Sequence, residues 1–229
     1  MKVLTLFIIL FLGTIHTFGQ TRTEVKIYQN TDFFHTGYTD PVSQQTVSSN
    51  QTNFSRISIA ATFHTGKKYL HELELFIPQI ESKSDPSYPM NYEPHDPPSS
   101  TMVRTFTSYS FRYEFSKEMK QSDKLIFTLG AGINPYYTKT SYLTQVSNSY
   151  NRYLWESGVA LNFVSRIAYR ITSRLGLELS IPFKVYDARY IQRKIENPSI
   201  PVRQQTSGSW NHIFFESAYT LRFGISFML

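Results

Sequence analysis

The sequence predicts an all-β protein, an eight-stranded antiparallel up-and-down transmembrane β-barrel. Two patterns favour this fold class: apolar and polar residues alternate with a period of two along most of the chain, and the connections between these segments are short and long in turn. Aromatic residues make up 16% of the chain and charged residues only 17%, with a mean hydropathy of -0.30. This composition is too aromatic for a disordered chain and too polar for a helical membrane protein.

The cysteine count and the net charge limit the function classes. The chain has no cysteine, which excludes a disulfide scaffold, a thiolate metal site, a cysteine nucleophile and a lipid-anchored N-terminal cysteine. The formal charge is +6 and the pI is about 9.4. Taken alone, these values would point to nucleic acid or to an anionic membrane surface as a partner.

The first twenty residues have the features of an export signal. Lys2 precedes an apolar run at 3–12, and the small residues Thr17 and Gly19 stand before Gln20. The run is too short to span a bilayer, which takes about 20 apolar residues. We therefore expect a cleaved signal peptide at 1–19 and an exported barrel domain at 20–229.

The alternation is clearest in three segments. At 103–115 the odd positions are mostly apolar or aromatic, and the even positions are mostly polar or charged. The same division recurs at 175–185 and at 213–229. Such alternation predicts strands with one apolar and one polar face.

Turn-forming residues divide the chain into eight predicted strands. We place them at about 22–30, 53–64, 69–80, 102–116, 124–137, 152–171, 174–187 and 209–229. The first predicted strand is short and its alternation is weak. All six aspartates fall in connections or at a strand end. The long connections, at roughly 31–52, 81–101, 138–151 and 188–208, predict four sizeable loops on the outer side of the barrel.

The apolar face is expected to point outward, to lipid. The interior of an eight-stranded barrel is only just wide enough for side chains, so large aromatic residues from every strand would crowd it. Five glycines, at 130, 132, 158, 176 and 224, lie on the polar face, where small residues suit a crowded interior. A soluble β-barrel or sandwich with the opposite orientation is the alternative.

This register points sixteen charged residues inward, nine basic and seven acidic. Charges removed from bulk water must be paired to be tolerated, so the near-balance predicts an ion-pair network that fills the lumen. It also accounts for much of the basic pI without a nucleic-acid partner. The predicted set is Glu24, Lys26, Arg56, Glu72, Glu74, Arg104, Arg112, Glu114, Lys124, Glu156, Arg166, Arg170, Glu178, Lys184, Glu216 and Arg222.

The last eight residues carry a resemblance to known families. Arg222, Gly224, Phe227 and Leu229 match, at the right spacing, the C-terminal assembly signal of outer-membrane barrels, with Leu in place of the usual Phe or Tyr. In its overall pattern the chain resembles the small OmpA/OmpX-like eight-stranded barrels, and Gln20 is reminiscent of exported Bacteroidota proteins. The resemblance implies the outer membrane of a diderm bacterium, lipid contact and the barrel assembly machinery as a transient partner.

Two similar segments end in proline. Residues 73–78 and 177–182 share the pattern Leu-Glu-Leu-x-Ile-Pro, and Pro135 is placed similarly in another strand. Proline removes a ladder donor and is usually found at strand ends, edges or bulges. A strand end or bulge near the rim is the simpler interpretation, and a weakened seam near Pro182 that releases a hydrophobic solute sideways is the other.

Catalytic and metal-binding patterns are weak. Ser209, His212 and Glu216 lie near one another, and His212 and Glu216 are expected to share the inward face. Ser209 has the opposite parity, which places it on the other face, away from a histidine that could act as its base. Residues 93, 95 and 96 in the Pro-rich connection could touch a divalent cation. We expect no cofactor, and a structural, adhesion or assembly-subunit role at the outer loops. A passive channel or lateral transporter is the first alternative, and a lipid-modifying enzyme at the rim the second.

Overall fold

The computed structural model describes residues 23–39, 46–65, 68–87, 100–120, 122–144, 150–215 and 218–229. Ten strands account for most of them, and a short 3₁₀ helix covers Val202–Gln204. The strands are β1 Thr23–Thr39, β2 Thr46–Thr65, β3 Tyr69–Phe76, β4 Gln79–Ser87, β5 Ser100–Lys120, β6 Leu125–Thr144, β7 Arg152–Arg170, β8 Leu175–Ile195, β9 Thr206–Phe214 and β10 Ala218–Met228. Within these residues no helix is long and apolar enough to cross a membrane.

Antiparallel pairing closes the sheet into a ring of eight. The order is β1, β2, β3, β5, β6, β7, β8, β10, and β10 pairs with β1 to complete the circle. Strand β4 continues β3 beyond Pro78 and pairs with β5, while β9 precedes β10 and pairs with β8. The predicted eight-stranded antiparallel barrel is therefore confirmed.

The predicted strand bounds are too short at one end of the barrel. Strand β1 reaches Thr39 instead of ending near residue 30, β2 begins at Thr46, and β8 extends to Ile195. Much of each expected long connection is thus strand. We call this end of the barrel the loop end, and the opposite end, where residues 66–68, 121–124 and 171–174 connect the strands, the turn end.

Register around the ring gives the stagger of the strands and the distance that a row of paired residues climbs in one circuit. A continuous row of paired residues starts at Thr23 of β1 and returns to the same strand at Phe33, ten residues further along. The row passes through Phe63, His71, Phe115, Ala131, Phe163, Phe183 and Tyr219. Ten residues at about 3.3 Å each, on strands tilted by roughly 40°, correspond to a rise of about 25 Å.

Besides a register shift between β1 and β2 at Asn30 and Asp32, two irregularities at β8 and β9 change which residues face the interior. On β8, Leu161 pairs with Tyr186 and the next residue, Asn162, pairs with Lys184, so Val185 is an extra residue. Such a bulge inverts the parity of the strand beyond it. Between β9 and β10, Phe215 has a positive φ of 50°. Above Val185 the inner positions of β8 are therefore odd-numbered, and those of β9 are odd-numbered as well.

Candidate functional site

A dense group of charged side chains crosses the middle of the barrel interior. Four carboxylates, four cationic groups and one tyrosine contribute to it, and all are almost fully buried. Six of the eight strands in the ring supply these side chains, and β2 contacts them through Ser58 and Thr62. We call this group the central cluster: Lys26, Tyr28, Glu72, Glu74, Arg112, Glu114, Arg166, Glu178 and Arg222.

Arg222 joins three of the carboxylates. Its Nη1 donates to Glu74 Oε2 at 2.6 Å and to Glu114 Oε1 at 2.7 Å, and its Nη2 donates to Glu72 Oε1 at 3.3 Å. The side chain is completely buried, and its guanidinium carbon lies 4.6 Å from the centre of the Tyr28 ring. Oxygens of these three carboxylates approach one another within 4.8 Å. Arg222 thus places its positive charge among three carboxylates.

Arg166, on β7, is a second arginine that joins several carboxylates. Its Nη1 and Nη2 donate to Glu72 Oε2 and Oε1 at 2.7 and 2.8 Å, a bidentate pair, and Nη2 also contacts Glu114. Bidentate arginine–carboxylate contacts are among the strongest polar interactions in proteins. Arg112 completes the arginine set, with Nη1 donating to Glu74 Oε2 at 3.2 Å.

Lys26 and Tyr28 connect the cluster to the first strand. Lys26 Nζ donates to Glu72 Oε2 at 2.9 Å and to Glu178 Oε2 at 2.7 Å. The Tyr28 hydroxyl donates to Glu178 and lies 3.1 Å from Glu72 Oε2. The four positive and four negative groups balance, so the central cluster carries no formal net charge.

A smaller group lies above the central cluster on one wall. Arg56 of β2 contacts Asp32 of β1, and Thr220 Oγ1 donates to Asp32 Oδ1 at 2.7 Å. The Phe76 ring lies between Arg56 and Arg112, at 5.1 and 5.2 Å from their guanidinium carbons. Phe76 thus separates the two polar levels.

On the opposite wall Asp187 is the focus. It is fully buried, accepts from the Tyr136 hydroxyl at 3.0 Å, and lies 3.5 Å from Lys184 Nζ. Arg189 Nη1 donates to Glu156 Oε1 at 3.0 Å beside it. Sequence reasoning missed Arg189 because it lay in the predicted connection at 188–208, and it missed the inward orientation of Asp187 because the extra residue at Val185 inverts the parity beyond it.

The structure brings half of the sixteen predicted inward residues into the central cluster. Elsewhere Glu24 lies 3.1 Å from His64, and Arg56, Glu156 and Lys184 have the partners just described. Lys124 is exposed at the turn end, Arg104 is exposed at the loop end, and Arg170 is half-buried. Glu216 lies outside the described residues.

Two aspartates correct a sequence-based expectation. Asp32 and Asp187 were expected in a connection and at a strand end, but each lies within a strand and faces the interior. The signal that could have found them is chemical: an ion-pair network rich in arginine needs further carboxylates. Asp32 provides one to Arg56, and Asp187 provides one to Lys184.

The suggested serine–histidine pair is not assembled. Ser209 and His212 of β9 lie on opposite faces, as their parity implies, but His212 faces outward and not inward as expected. Its Nδ1 lies 2.8 Å from the Tyr186 hydroxyl. The candidate cation ligands at 93, 95 and 96 lie outside the described residues.

The outer face of the ring is apolar and exposed. Phe163, Leu179 and Phe223 expose 48%, 40% and 50% of their surface. Counted from the row at Thr23, aromatic rings lie at both ends of the apolar face, at two levels about 25 Å apart, and further rings such as Phe163 and Phe223 lie between them. The lower level holds Tyr69, Phe127, Tyr169 and Phe227, and the upper level holds Phe33, Tyr109, Tyr137, Tyr186 and Tyr219.

An outward apolar band about 25 Å tall, bounded by aromatic girdles and enclosing a polar interior, is the mark of a barrel in lipid. This is a transmembrane β-barrel of the outer-membrane type. The expected outward orientation of the apolar face follows, and the soluble alternative is wrong.

No protein-family model matches the chain, and no curated relative matches it in sequence. Solved outer-membrane barrels are similar in structure. A major outer membrane protein from Thermus thermophilus shares 12% identity over 90% of this chain and 99% of that one, with a TM-score of 0.49. Ail, the attachment invasion locus protein of Yersinia pestis, shares 8% over 91% and 99%, with a TM-score of 0.44. The fold follows from this chain's own strand pairing, since these TM-scores lie below 0.5.

Proposed function

We propose that this outer-membrane barrel is closed to ions and solutes and acts through its loop end, as an adhesion or assembly-subunit protein. The central cluster is the observation that carries this proposal. It joins β1, β3, β5, β7, β8 and β10 across the lumen. A passing ion would have to separate several buried charge pairs at once, which is costly away from bulk water.

The extended strands of the loop end give the protein a surface outside the membrane. About ten tilted residues cross the membrane band, whereas β5 and β8 have 21 each. Three arginines, Arg104, Arg152 and Arg193, lie exposed on the inner face of this extension. None of them forms an ion pair with any residue in the described ranges, so a partner with acidic groups suits this face.

Conductance in planar bilayers tests the closed lumen. We expect the refolded full chain to insert without steady current. The double substitution R222A/E114A removes one charge of each sign from the middle of the cluster and opens space, so it should produce measurable channels. Steady conductance of the unsubstituted chain would contradict the proposal. Heat-modifiable gel mobility of both proteins shows whether each barrel is folded.

Binding of a soluble acidic polymer tests the loop-end surface. Polyglutamate should bind the refolded barrel, and the triple substitution of Arg104, Arg152 and Arg193 by glutamine should weaken binding by about tenfold at low salt. The matched control replaces Lys117, an exposed cation of the turn end, by glutamine. Equal loss in both variants would indicate a general effect of net charge and would refute the assigned surface.

A second candidate is lateral passage of a hydrophobic solute. At the suggested seam, β8 pairs with β7 at Pro182, and its ladder to β10 has no pair at Ile181 or Pro182 but resumes at Phe183 in the same register, so the gap there is short. Near Pro78, however, the β2–β3 ladder ends at Phe76, and in the described residues β4 pairs only with β5. Beyond Phe76, neither β1 nor β2 therefore pairs with β4 within those residues.

Partitioning of a hydrophobic fluorophore into proteoliposomes tests this second candidate. Faster uptake than in protein-free liposomes would support it, especially if P78V, which restores a backbone donor, slows the uptake. Rates equal to those of protein-free liposomes would exclude lateral passage and leave the closed barrel.

A further inference from the structure

The outer face of β7–β9 carries a second aromatic group above the upper girdle. Tyr153 and Trp155 stack with their centroids 5.7 Å apart, and Tyr190 and Trp210 lie 5.3 Å apart. His212 is parallel to Trp210 at 6.5 Å. We call these five residues the upper aromatic patch.

Strand register gives the height of this patch. A row of paired residues climbs from Tyr109 of the upper girdle through Tyr137, Ser157 and Tyr190 to Trp210. A row rises about 25 Å over eight strands, so these four steps place Trp210 about 12 Å above Tyr109. The patch therefore lies beyond the hydrocarbon band.

This height distinguishes the patch from an ordinary girdle. A girdle surrounds the barrel at one level, whereas at this height the outer positions of β5 and β6 are Thr105, Thr107, Lys139 and Ser141. Among the side chains that the structure describes at this height, the aromatic rings lie on β7–β9 and not on β5 or β6. Trp210 exposes 66% of its surface, and a large exposed apolar side chain in a group of this kind marks a binding surface.

Cations border the patch. Lys139 pairs in register with Trp155 and is exposed, and it makes no ion pair with any residue that the structure describes. Lys194 Nζ lies 5.8 Å from the Tyr153 ring and 2.9 Å from Glu196 Oε1. Aromatic faces beside ammonium groups suit a ligand that combines sugar rings with phosphate.

We infer that the upper aromatic patch binds the phosphorylated sugar headgroup of an outer-leaflet glycolipid. The thickness of the lipid headgroup layer favours a glycolipid over a phospholipid. Phospholipid headgroups extend only about 5–8 Å beyond the hydrocarbon on each side, which falls short of Trp210. Sugar layers reach further, and a lipid held in the leaflet beside β7–β9 would present its headgroup to this face. The inference depends on the outer-membrane placement but not on the closed lumen.

Intrinsic fluorescence reports on this site directly, because Trp155 and Trp210 are the only tryptophans of the chain. The refolded full chain in detergent is titrated with purified lipopolysaccharide, and in parallel with phosphatidylglycerol at equal phosphate. We expect lipopolysaccharide to lower quenching by acrylamide by about twofold, as stacked rings lose access to solvent, and phosphatidylglycerol to leave it unchanged.

Substitutions locate the effect. W210F and W155F each leave one reporter, and both should still show protection. Y190S and K139Q should weaken lipopolysaccharide binding by about tenfold, as loss of an anchoring contact does, while K117Q at the turn end should not. Heat-modifiable mobility verifies that each variant is folded.

Three outcomes would overturn the inference. Equal protection by phosphatidylglycerol would mean that any anionic lipid suffices. No protection by either lipid would mean that the patch is not a lipid site. Protection that appears on raising the protein concentration without lipid would identify a second copy of the chain as the occupant. The conductance experiment is independent of all three results.

Discussion

Arg166 and Glu72 form a bidentate ion pair across the lumen, at 2.7 and 2.8 Å, between residues 94 positions apart in the chain. Both side chains are almost completely buried. Glu72 also accepts from Lys26 and Arg222, so one carboxylate joins β3 to β1, β7 and β10. We therefore expect the proposed closure of the lumen to depend strongly on Glu72.

Replacing Glu72 by alanine should destabilise the barrel strongly. It leaves Arg166, Lys26 and Arg222 with one carboxylate fewer in a buried site, and breaking one partner of a buried pair costs about 3–5 kcal/mol. The free energy of unfolding in urea, measured on detergent-refolded protein, checks this value.

Glu156 provides the matched control. It also pairs with an arginine, Arg189, at 3.0 Å, but both side chains are more than 20% exposed. E156A should cost about 1 kcal/mol or less, since solvent screens such pairs. Equal losses of unfolding free energy for E72A and E156A would show that the central cluster contributes no more to stability than an exposed ion pair.

Gly224 should be sensitive to a single added methyl group. A Cβ there would lie 2.4 Å from two ring carbons of Tyr28, whose hydroxyl is held by Glu178. The ring cannot withdraw without breaking the central cluster, so G224A should cost about 1–3 kcal/mol. At Gly176 the added group would meet the rotatable Ser226 hydroxyl at 2.6 Å. G176A should therefore unfold at a higher urea concentration than G224A, and the reverse order would contradict the assigned packing.

Glu196 at the loop end should titrate below its ordinary pKa. Its hydrogen bonds from Lys194 at 2.9 Å and from Asn151 at 3.4 Å lower the pKa of its carboxyl from 4.5. A lowered pKa means that the contact stabilises the loop above pH 4.5 and is lost as the pH falls through the lower, folded-state value. The side-chain carboxyl resonance of Glu196 gives the midpoint by NMR. In K194M it should move back toward 4.5; no movement would refute the assigned cause.

Periodicity was sufficient to predict the fold class because lipid and lumen impose opposite polarity on alternate residues. Wherever a strand lies in the membrane band, as at 103–115, one face must be apolar. Glycines at 130, 176 and 224 also indicated a crowded interior, and each meets a neighbour closely in the structure.

The loop end could not be predicted in the same way. Outside the membrane a strand needs no apolar face, so segments such as 46–55, rich in Ser, Thr, Asn and Gln, carry no alternation although they are strands. One extra residue at Val185 inverts the parity beyond it, which turns Asp187 inward and Tyr190 outward. A bulge of this kind leaves no signature in a single sequence.

Which residues of the central cluster contact one another was also beyond the sequence. Parity predicts that Glu72, Arg166 and Arg222 all face inward, but their contact depends on how far each strand shifts relative to its neighbour. That stagger amounts to ten residues around the ring. It is set by turn geometry and packing jointly, not by any one segment.

The two faces of β8 allow the most direct test, because the chain has no native cysteine. Leu179 is 40% exposed on the outer face, and its neighbour Ser180 is completely buried on the inner face. In liposomes, L179C should react with a lipid-soluble maleimide but not with a charged, water-soluble one, and S180C should react with neither until the barrel is unfolded. S207C, exposed at the loop end, should react with the water-soluble reagent. Labelling of S180C by that reagent in the folded barrel would contradict the closed lumen, and labelling of L179C by it would contradict the lipid-facing orientation.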